Sequence, residues 1–170
     1  MRVSNRDYFA VEIFEPMVRD DKEQLLAIAE ESGLFTPEEL ELLLGDTLDA
    51  FLDGSLPEQH HVIVCRDAVS RIPLGWSYFA SDAYADNVWN VWWIGVRSDC
   101  YGTGISQVLL TEVETCIRTS GGRVIVIETS DGDMTSRARR FYTKSNYGER
   151  GCIPDFYGPG DAKLVFSKTL

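Results

Sequence analysis

A strand, a glycine-rich loop and a helix follow one another within residues 88–120, and this unit restricts the possible folds more than any other part of the chain. Residues 88–96 (VWNVWWIGV) are rich in valine, isoleucine and tryptophan, which predicts a buried strand. After the loop, apolar residues recur at helical spacing as far as Gly121-Gly122, where the helix is expected to stop. An apolar strand follows over residues 123–129. A helix that connects two strands in this way implies that the strands are parallel neighbours.

The loop itself is suited to bind phosphate. It reads Tyr101-Gly102-Thr103-Gly104-Ile105-Ser106 and opens the helix. Backbone N–H groups in the first turn of a helix have no partner within the helix, and they lie at the positive end of its dipole. Glycine at positions 102 and 104 leaves room for an anion to approach the backbone. The loop lacks the third glycine of the dinucleotide fingerprint and the Gly-Lys-Ser/Thr of a P-loop. Taken alone, it is equally consistent with a plain turn before a packed helix.

The rest of the chain is predicted to form short helices and further strands. Asp20-x-x-Glu23 is a capping box that predicts a helix as far as about Ser32, and Thr36-Pro37 predicts a second helix that ends near Gly54. A third is expected over residues 134–145. Strands are predicted over residues 9–14, 61–65, 74–80, 150–153 and 163–170. This order predicts an α/β fold, a mixed sheet with helices on both faces, in a single domain covering residues 1–170.

Charge and composition restrict the partners. The net charge is −11, and residues 1–54 carry 14 acidic and 4 basic side chains. Such a balance argues against nucleic acid, whose phosphates favour basic patches. The acidic third could attract a cationic amine, or it could be an ordinary solvated surface. No apolar run reaches 18 residues, so no membrane span is expected. The four cysteines and two histidines lack metal-ligand spacing, so we expect no metal and a reduced, cytoplasmic protein.

Three segments resemble the GNAT superfamily of N-acetyltransferases. Residues 96–110 (VRSDCYGTGISQVLL) resemble its acyl-CoA-binding motif, with Tyr101 where Arg or Gln is usual and Ser106 where Gly or Ala is usual. Residues 138–148 (ARRFYTKSNYG) resemble the A-x-x-F-Y-x-x-x-G-F segment, with Asn-Tyr in place of Gly-Phe. The tail, residues 153–168, resembles the ending of one bacterial branch.

The resemblance implies a GNAT-type mixed, mostly antiparallel twisted sheet and an activity. An acetyl group would pass from acetyl-CoA to a primary amine by direct attack on the thioester. The backbone near Ile94 and Val96 would pair with the pantetheine arm of the donor. The diphosphate would be bound by the loop residues Tyr101, Gly102, Thr103, Gly104, Ile105 and Ser106, and Arg137, in a basic patch with Arg139, Arg140 and Lys144, could meet the 3′-phosphate. The acceptor would be a small-molecule or peptide amine, and a homodimer is possible. The alternative is a non-catalytic acyl-CoA-binding sensor or regulatory module.

Two residues are candidates for proton transfer. Tyr142 occupies the tyrosine of the Phe-Tyr pair, which in the family commonly lies near the thioester sulfur, and a neutral phenol can donate a proton. Glu128 ends a strand predicted to be buried, and burial would raise the pKa of its carboxyl group towards that of a working base. Ribosomal-protein acetyltransferases of the superfamily place a glutamate at a similar point, whereas Asn90 holds another position where a base is sometimes found. Equally, Tyr142 could be a packed helix residue, and Glu128 could cap the loop at 130–133 or pair with Arg137.

Overall fold

The structure, a computed structural model, describes residues 12–170 and contains a seven-stranded sheet. The strands are β1 (Glu12–Pro16), β2 (His60–Asp67), β3 (Pro73–Ser81), β4 (Val88–Val96), β5 (Val124–Ser130), β6 (Gly148–Gly158) and β7 (Asp161–Thr169), in the order β1-β2-β3-β4-β5-β7-β6. β1 pairs with β2, and β7 with both β5 and β6, in antiparallel fashion, whereas β4 and β5 are parallel. The predicted mixed, mostly antiparallel sheet is therefore confirmed.

Within residues 12–170, five α-helices connect these strands. They are α1 (Lys22–Glu30), α2 (Pro37–Leu40), α3 (Asp46–Leu52), α4 (Ile105–Thr119) and α5 (Ser136–Lys144). The predicted first strand, residues 9–14, lies outside the described residues except for its last part, which belongs to β1. Of the helices in residues 12–170, none has the length and apolar content that crossing a bilayer would require.

The chain divides into two compact units, which we describe separately. The first comprises the described chain up to residue 78 together with residues 93–113, and the second comprises residues 79–92 and 114–170. β3, β4 and α4 each contribute residues to both units. That the whole chain acts as one domain stays a prediction.

The first unit is built around the face that α1, α2 and α3 cover. Its buried side chains include Leu25, Leu44, Leu48, Val64, Trp76 and Trp93. Trp76 donates its indole N–H to the carbonyl oxygen of Leu25 at 2.8 Å, which ties β3 to α1. A second cluster of Cys65, Leu74, Val96, Cys100, Ile105 and Leu109 holds the start of α4.

One of the two predicted helix caps is confirmed and the other is wrong. Thr36 Oγ1 accepts the Glu39 N–H at 3.2 Å, and Glu39 Oε2 accepts the Thr36 N–H at 2.8 Å, as a capping box requires. At α1 the predicted Asp20–Glu23 box does not form. Instead Asp21 accepts the Val18 N–H at 2.8 Å, and its carboxylate turns inward to Arg66. The tertiary ion pair therefore determines which aspartate caps the turn.

The second predicted helix is interrupted by one wide turn. α2 and α3 are joined through Glu41–Gly45, where the Asp46 N–H bonds to the Glu41 carbonyl five residues back. The predicted apolar stripe is nevertheless kept, since Leu40, Leu44 and Leu48 are buried. The wide turn absorbs one extra residue without rotating the stripe away from the core.

The second unit holds the parallel pair and the end of α4. Val88–Val91 of β4 pair with Val124–Ile127 of β5. α4 ends as predicted at the glycine pair: the Gly121 N–H bonds to the Arg118 carbonyl at 3.0 Å and the Gly122 N–H to the Ile117 carbonyl at 2.8 Å. Gly121 has φ +81°, which completes a Schellman motif.

Candidate active site

The end of β4 is held firmly and delivers the chain to the glycine loop. The Arg97 N–H bonds to the Leu74 carbonyl at 2.9 Å, beside the closely packed Gly75. A Cβ at Gly75 would lie 2.6 Å from Cγ1 of Val96, so only glycine fits opposite Val96. The parallel ladder with β5 spans Val88–Val91, and β4 itself continues to Val96. The backbone of Ile94 and Val96 lies beyond that ladder.

A short turn joins β4 to the loop. Ser98–Cys100 form one turn of 3-10 helix, in which Arg97 and Asp99 make an ion pair and the Ser98 N–H donates to Glu31 at 2.8 Å. Cys100 is buried, and burial, assisted by the Asp99 carboxylate, raises the pKa of its thiol to about 12. Cys100 is therefore a protonated core residue that anchors the loop. It is not a nucleophile.

Four backbone N–H groups of the loop have no acceptor within the described part of the chain. The Tyr101 N–H bonds to the Ser98 carbonyl at 3.2 Å, and the Thr103 N–H to the Cys100 carbonyl at 3.3 Å. The remaining N–H groups of the loop are those of Gly102, Gly104, Ile105 and Ser106. Within residues 12–170 they have no acceptor. Such a row at the start of a 15-residue helix matches the donor set that a phosphate group needs.

The two loop glycines have the conformation and the space that this function needs. Gly102 has φ +76° and Gly104 has φ +99°, in the left-handed region that other residues avoid. A Cβ at either position would meet nothing within 4 Å, so packing does not explain the choice of glycine. Both positions open onto free space.

The predicted donor-binding residues fall into two kinds. The side chains of Val96 and Ile105 are buried in the core, and that of Ile94 is partly buried against it. Any ligand contact by these three would therefore involve backbone atoms. Tyr101 is exposed and Ser106 half-buried, so their side chains can face a ligand. The eight predicted donor-binding residues of β4 and the loop, which are Ile94, Val96 and residues 101–106, belong to the first unit.

Tyr142 lies in an aromatic cluster of the second unit. It is on α5, is 7% exposed, and its ring lies 5.8 Å from those of Phe141 and Phe166, centroid to centroid. Burial raises the pKa of its phenol to about 12. No acceptor or donor is recorded for its hydroxyl among the described residues, although the neighbouring Tyr147 hydroxyl bonds to Glu114 at 3.0 Å. Tyr142 thus keeps its proton at neutral pH.

Glu128 is on β5, but its environment differs from the prediction. The carboxyl group is not buried: 35% of the side chain is exposed, because the strand's alternation turns position 128 outward. It forms an ion pair of 2.5 Å with Lys163 of β7, and not with Arg137. The expectation of a buried carboxyl group is wrong, whereas its catalytic role stays a prediction.

The predicted basic patch on α5 separates into different environments. Arg137 is exposed on the helix. Arg139 turns inward, where its Nη1 donates to the carbonyls of Ser130 and Gly132 at 3.0 and 2.8 Å and holds the loop before α5. Arg140 and Lys144 line a groove of about 370 Å³ beside β6 and β7, and Arg139 lines it too. These hydrogen bonds give Arg139 a structural role.

Some buried polar residues were not foreseen. Glu114, which interrupts the apolar face of α4, accepts from Lys168 at 2.8 Å and from Tyr147. Lys168 also donates to the Ser145 carbonyl at 3.2 Å. The signal was present in the sequence: a glutamate at a core position of a helix, and a lysine that continues the inward alternation of Ala162, Leu164 and Phe166.

The fold is that of the GNAT N-acetyltransferases, as comparison with solved structures shows. A crystal structure from Desulfovibrio desulfuricans, of a protein assigned to the GNAT family of acetyltransferases, superposes with a TM-score of 0.85 at 22% identity, over 94% of this chain and 99% of that one. An aminoglycoside 6′-N-acetyltransferase in complex with coenzyme A gives 0.73 at 16% identity, over 92% and 96% of the two chains. A Salmonella typhimurium protein assigned as an acetyltransferase, with acetyl-CoA bound, gives 0.74 at 14% identity, over 95% of each. No protein-family model matches the sequence, and no curated protein is similar to it.

Proposed function

We propose that this protein is an N-acetyltransferase that moves an acetyl group from acetyl-CoA to a primary amine. The observation that carries the proposal is the row of free N–H groups at Gly102, Gly104, Ile105 and Ser106. The two glycines have the left-handed backbone conformation and leave these groups accessible. It is supported by a fold shared with structures that hold coenzyme A or acetyl-CoA. In the reaction the amine nitrogen bonds to the carbonyl carbon and the carbon–sulfur bond breaks. The amine loses a proton and the thiolate gains one, which gives an amide and free CoA.

The glycine loop and the end of β4 would bind the acyl donor. The diphosphate would accept hydrogen bonds from the free N–H groups of the loop, with Tyr101 and Thr103 at its edge. The pantetheine arm would pair with the β4 backbone at Ile94 and Val96, beyond the ladder with β5. Arg137 remains our candidate for the 3′-phosphate, since its guanidinium group is on the exposed side of α5.

Tyr142 and Glu128 would carry out proton transfer. Tyr142 would protonate the leaving thiolate, and its raised pKa ensures that the proton is present at neutral pH. Glu128 would take the proton of the amine, directly or through water. Its carboxylate forms an ion pair with Lys163, and its exposure lets a substrate or a water molecule reach it.

The chemistry of the proposed reaction requires that the acceptor is an amine. One structural neighbour is an aminoglycoside acetyltransferase, whose acceptor is a small cationic amine. The concentration of acidic residues in positions 1–54 would favour an acceptor with positive charge.

Calorimetric titration with acetyl-CoA, beside CoA alone, tests the proposal. We expect saturable binding of both at one site per chain, followed by release of free thiol when a panel of amines is added. Binding without thiol release on any amine would favour the acyl-CoA sensor. Absence of binding to either compound would overturn both interpretations.

A further inference from the structure

Trp93 carries a buried polar atom that has no partner. Its side chain is 7% exposed, and within residues 12–170 its indole Nε1 is enclosed without any acceptor. Trp76 in the same cluster differs, because its N–H donates to Leu25. Leaving a buried donor unpaired destabilises the folded state, and phenylalanine would be buried here without an unpaired donor. A free indole N–H at this place therefore needs an explanation.

The indole lies against the strand end that carries the proposed donor site. A Cβ at Gly95 would lie 2.4 Å from Cζ2 of Trp93, so the ring lies over the β4 backbone at Gly95. Ser77 Oγ donates to the Trp93 carbonyl at 2.7 Å and fixes the backbone beneath it. Phe35, from the loop between α1 and α2, packs on the ring with centroids 5.6 Å apart.

The direction of β4 indicates what the indole would meet. An acyl donor anchored at the loop, and extended back along Val96 and Ile94, brings its reactive end towards the next residue, Trp93. The carbonyl oxygen of the acyl group is a hydrogen-bond acceptor of the kind that the indole lacks. This oxygen gains negative charge as the amine adds, so a donor placed there binds it more tightly as the reaction proceeds.

We propose that Trp93 is a catalytic residue whose indole N–H donates to the carbonyl oxygen of the bound acyl group. The inference rests on the proposed function, because it needs a thioester bound along β4. Since the N–H is enclosed, neighbouring side chains must shift when the acyl group enters. The donor switches from an unpaired state to a paired one only when substrate is present, which would offset part of the cost of binding.

Two stable donor analogues test this contact in the wild-type protein. S-(2-oxopropyl)-CoA carries a carbonyl group, and S-propyl-CoA has the same chain without it. With ¹⁵N-labelled tryptophan, we expect the indole signal of Trp93 to move downfield with the ketone analogue and not with the propyl analogue. Of the four tryptophans, Trp76, Trp89 and Trp92 are assigned through their phenylalanine variants, which leaves the signal of Trp93. No acceptor amine is added, so an acceptor's oxygen cannot cause the shift.

Each outcome of this experiment decides a different point. Equal shifts, or none, at saturation with both analogues would overturn the role of Trp93 and leave the proposed function standing. Failure of both analogues to bind would overturn the proposed function, and the inference with it.

Matched variants extend the test to affinity and rate. Trp93→Phe should remove a preference of about two- to tenfold for the ketone analogue, which is the size of one net hydrogen bond. It should lower kcat by roughly 10²–10³, as loss of a donor to the reacting oxygen does elsewhere. Trp76→Phe removes an indole N–H that is already paired, so it should lower stability and keep the preference. Retention of the preference in Trp93→Phe would contradict the proposal, and the NMR result stands whether or not that variant folds.

Discussion

At the scale of single residues, packing keeps the phenol of Tyr142 in the protonated form that our proposed acid catalysis requires. Its ring is held by Phe141 and Phe166, and burial keeps its phenol protonated. Tyr142→Phe keeps the ring contacts and removes only the hydroxyl group. We expect kcat to fall by about 10²-fold or more, the usual contribution of a general acid, with acetyl-CoA affinity unchanged in calorimetry.

Tyr147→Phe is the matched control for this change. Its hydroxyl belongs to the buried network with Glu114, so its loss should reduce stability and leave kcat near the wild-type value. If Tyr142→Phe turned over at the wild-type rate, the acid would have to be another group.

Glu128 is a different case, because its partner is known and its role is not. Glu128→Gln removes the negative charge and leaves Lys163 beside an amide. If Glu128 is the base, kcat should fall at every pH, and the wild-type loss of activity on acidification should disappear from the pH–rate profile. Lys163→Met breaks the same ion pair and retains the carboxylate, so it should keep that acidic loss. A Glu128→Gln profile with the wild-type shape would remove Glu128 from the mechanism.

At the scale of elements, the two ends of α4 offer a controlled comparison. Gly104 and Gly121 both have positive φ, and a Cβ at either would meet nothing within 4 Å. Alanine at either position should therefore cost a similar amount of stability, about 1 kcal/mol or somewhat more, as strained backbone does. Only Gly104 lies in the proposed diphosphate loop. We expect Gly104→Ala to weaken CoA binding at least tenfold and Gly121→Ala to leave it unchanged, both measured by calorimetry. Equal effects on binding would mean that the loop glycines serve folding alone.

The ion pair between Asp21 and Arg66 ties the turn before α1 to β2. Arg66 Nη2 lies 2.5 Å from Asp21 Oδ2, Nη1 lies 2.8 Å from Oδ1, and both side chains are buried. Burial alone would raise the pKa of Asp21, but the bonds from Arg66 and the Val18 N–H outweigh it and lower the pKa. Asp21→Asn leaves a buried guanidinium with Glu15 as its remaining carboxylate, so we expect a loss of about 3–5 kcal/mol in urea unfolding.

Asp53→Asn is the surface counterpart. Asp53 pairs with Arg19 at 3.0 Å, but the two side chains are 63% and 71% exposed, so its loss should cost less than about 1 kcal/mol. A comparable loss in the two variants would show that burial does not distinguish the pairs.

At the scale of the whole molecule, the features that could be predicted from the sequence were the ones set by local interactions. β4 begins and ends at the predicted residues, and α4 stops at its glycine pair, because strand propensity and a glycine cap act within a few residues. Contacts between distant positions could not be foreseen in the same way. Whether Asp20 or Asp21 caps a turn depends on Arg66, which is 45 residues away from Asp21. The exposure of Glu128 depends on the register in which β5 pairs with β7.

The free donors of the site illustrate the same limit. The glycine loop is visible in the sequence, but which of its N–H groups are already used by the turn is not. The N–H groups of Tyr101 and Thr103 donate to carbonyls of the preceding turn, and only the structure distinguishes them from the free N–H groups beside them. The unpaired indole of Trp93 likewise follows from the ring's position over Gly95, which no pattern of residue types encodes.

The molecule as a whole should lose stability in alkali, and the sign follows from three buried acids. The pKa of Cys100 and that of Tyr142 are each raised to about 12 by burial, and the pKa of Tyr147 is raised by burial and by the Glu114 carboxylate. Below the unfolded-state values of about 8.5 for cysteine and 10 for tyrosine, both states keep these protons and stability does not depend on them. Above those values the unfolded chain releases protons that the folded one retains, so stability falls by about 1.4 kcal/mol per pH unit for each group, up to about pH 12 for Cys100 and Tyr142.

Urea unfolding at pH 8, 9, 10 and 11 under reducing conditions measures this slope. Cys100→Ala should make the fall that begins near pH 8.5 shallower, since the buried Cys65 remains, and leave the further fall that the tyrosines add above pH 10. The difference between wild type and variant isolates the thiol, because lysines and other groups titrate equally in both. Parallel curves for the two proteins between pH 9 and 10 would mean that Cys100 ionises as freely in the fold as out of it, and that the anchor of the glycine loop is open to solvent.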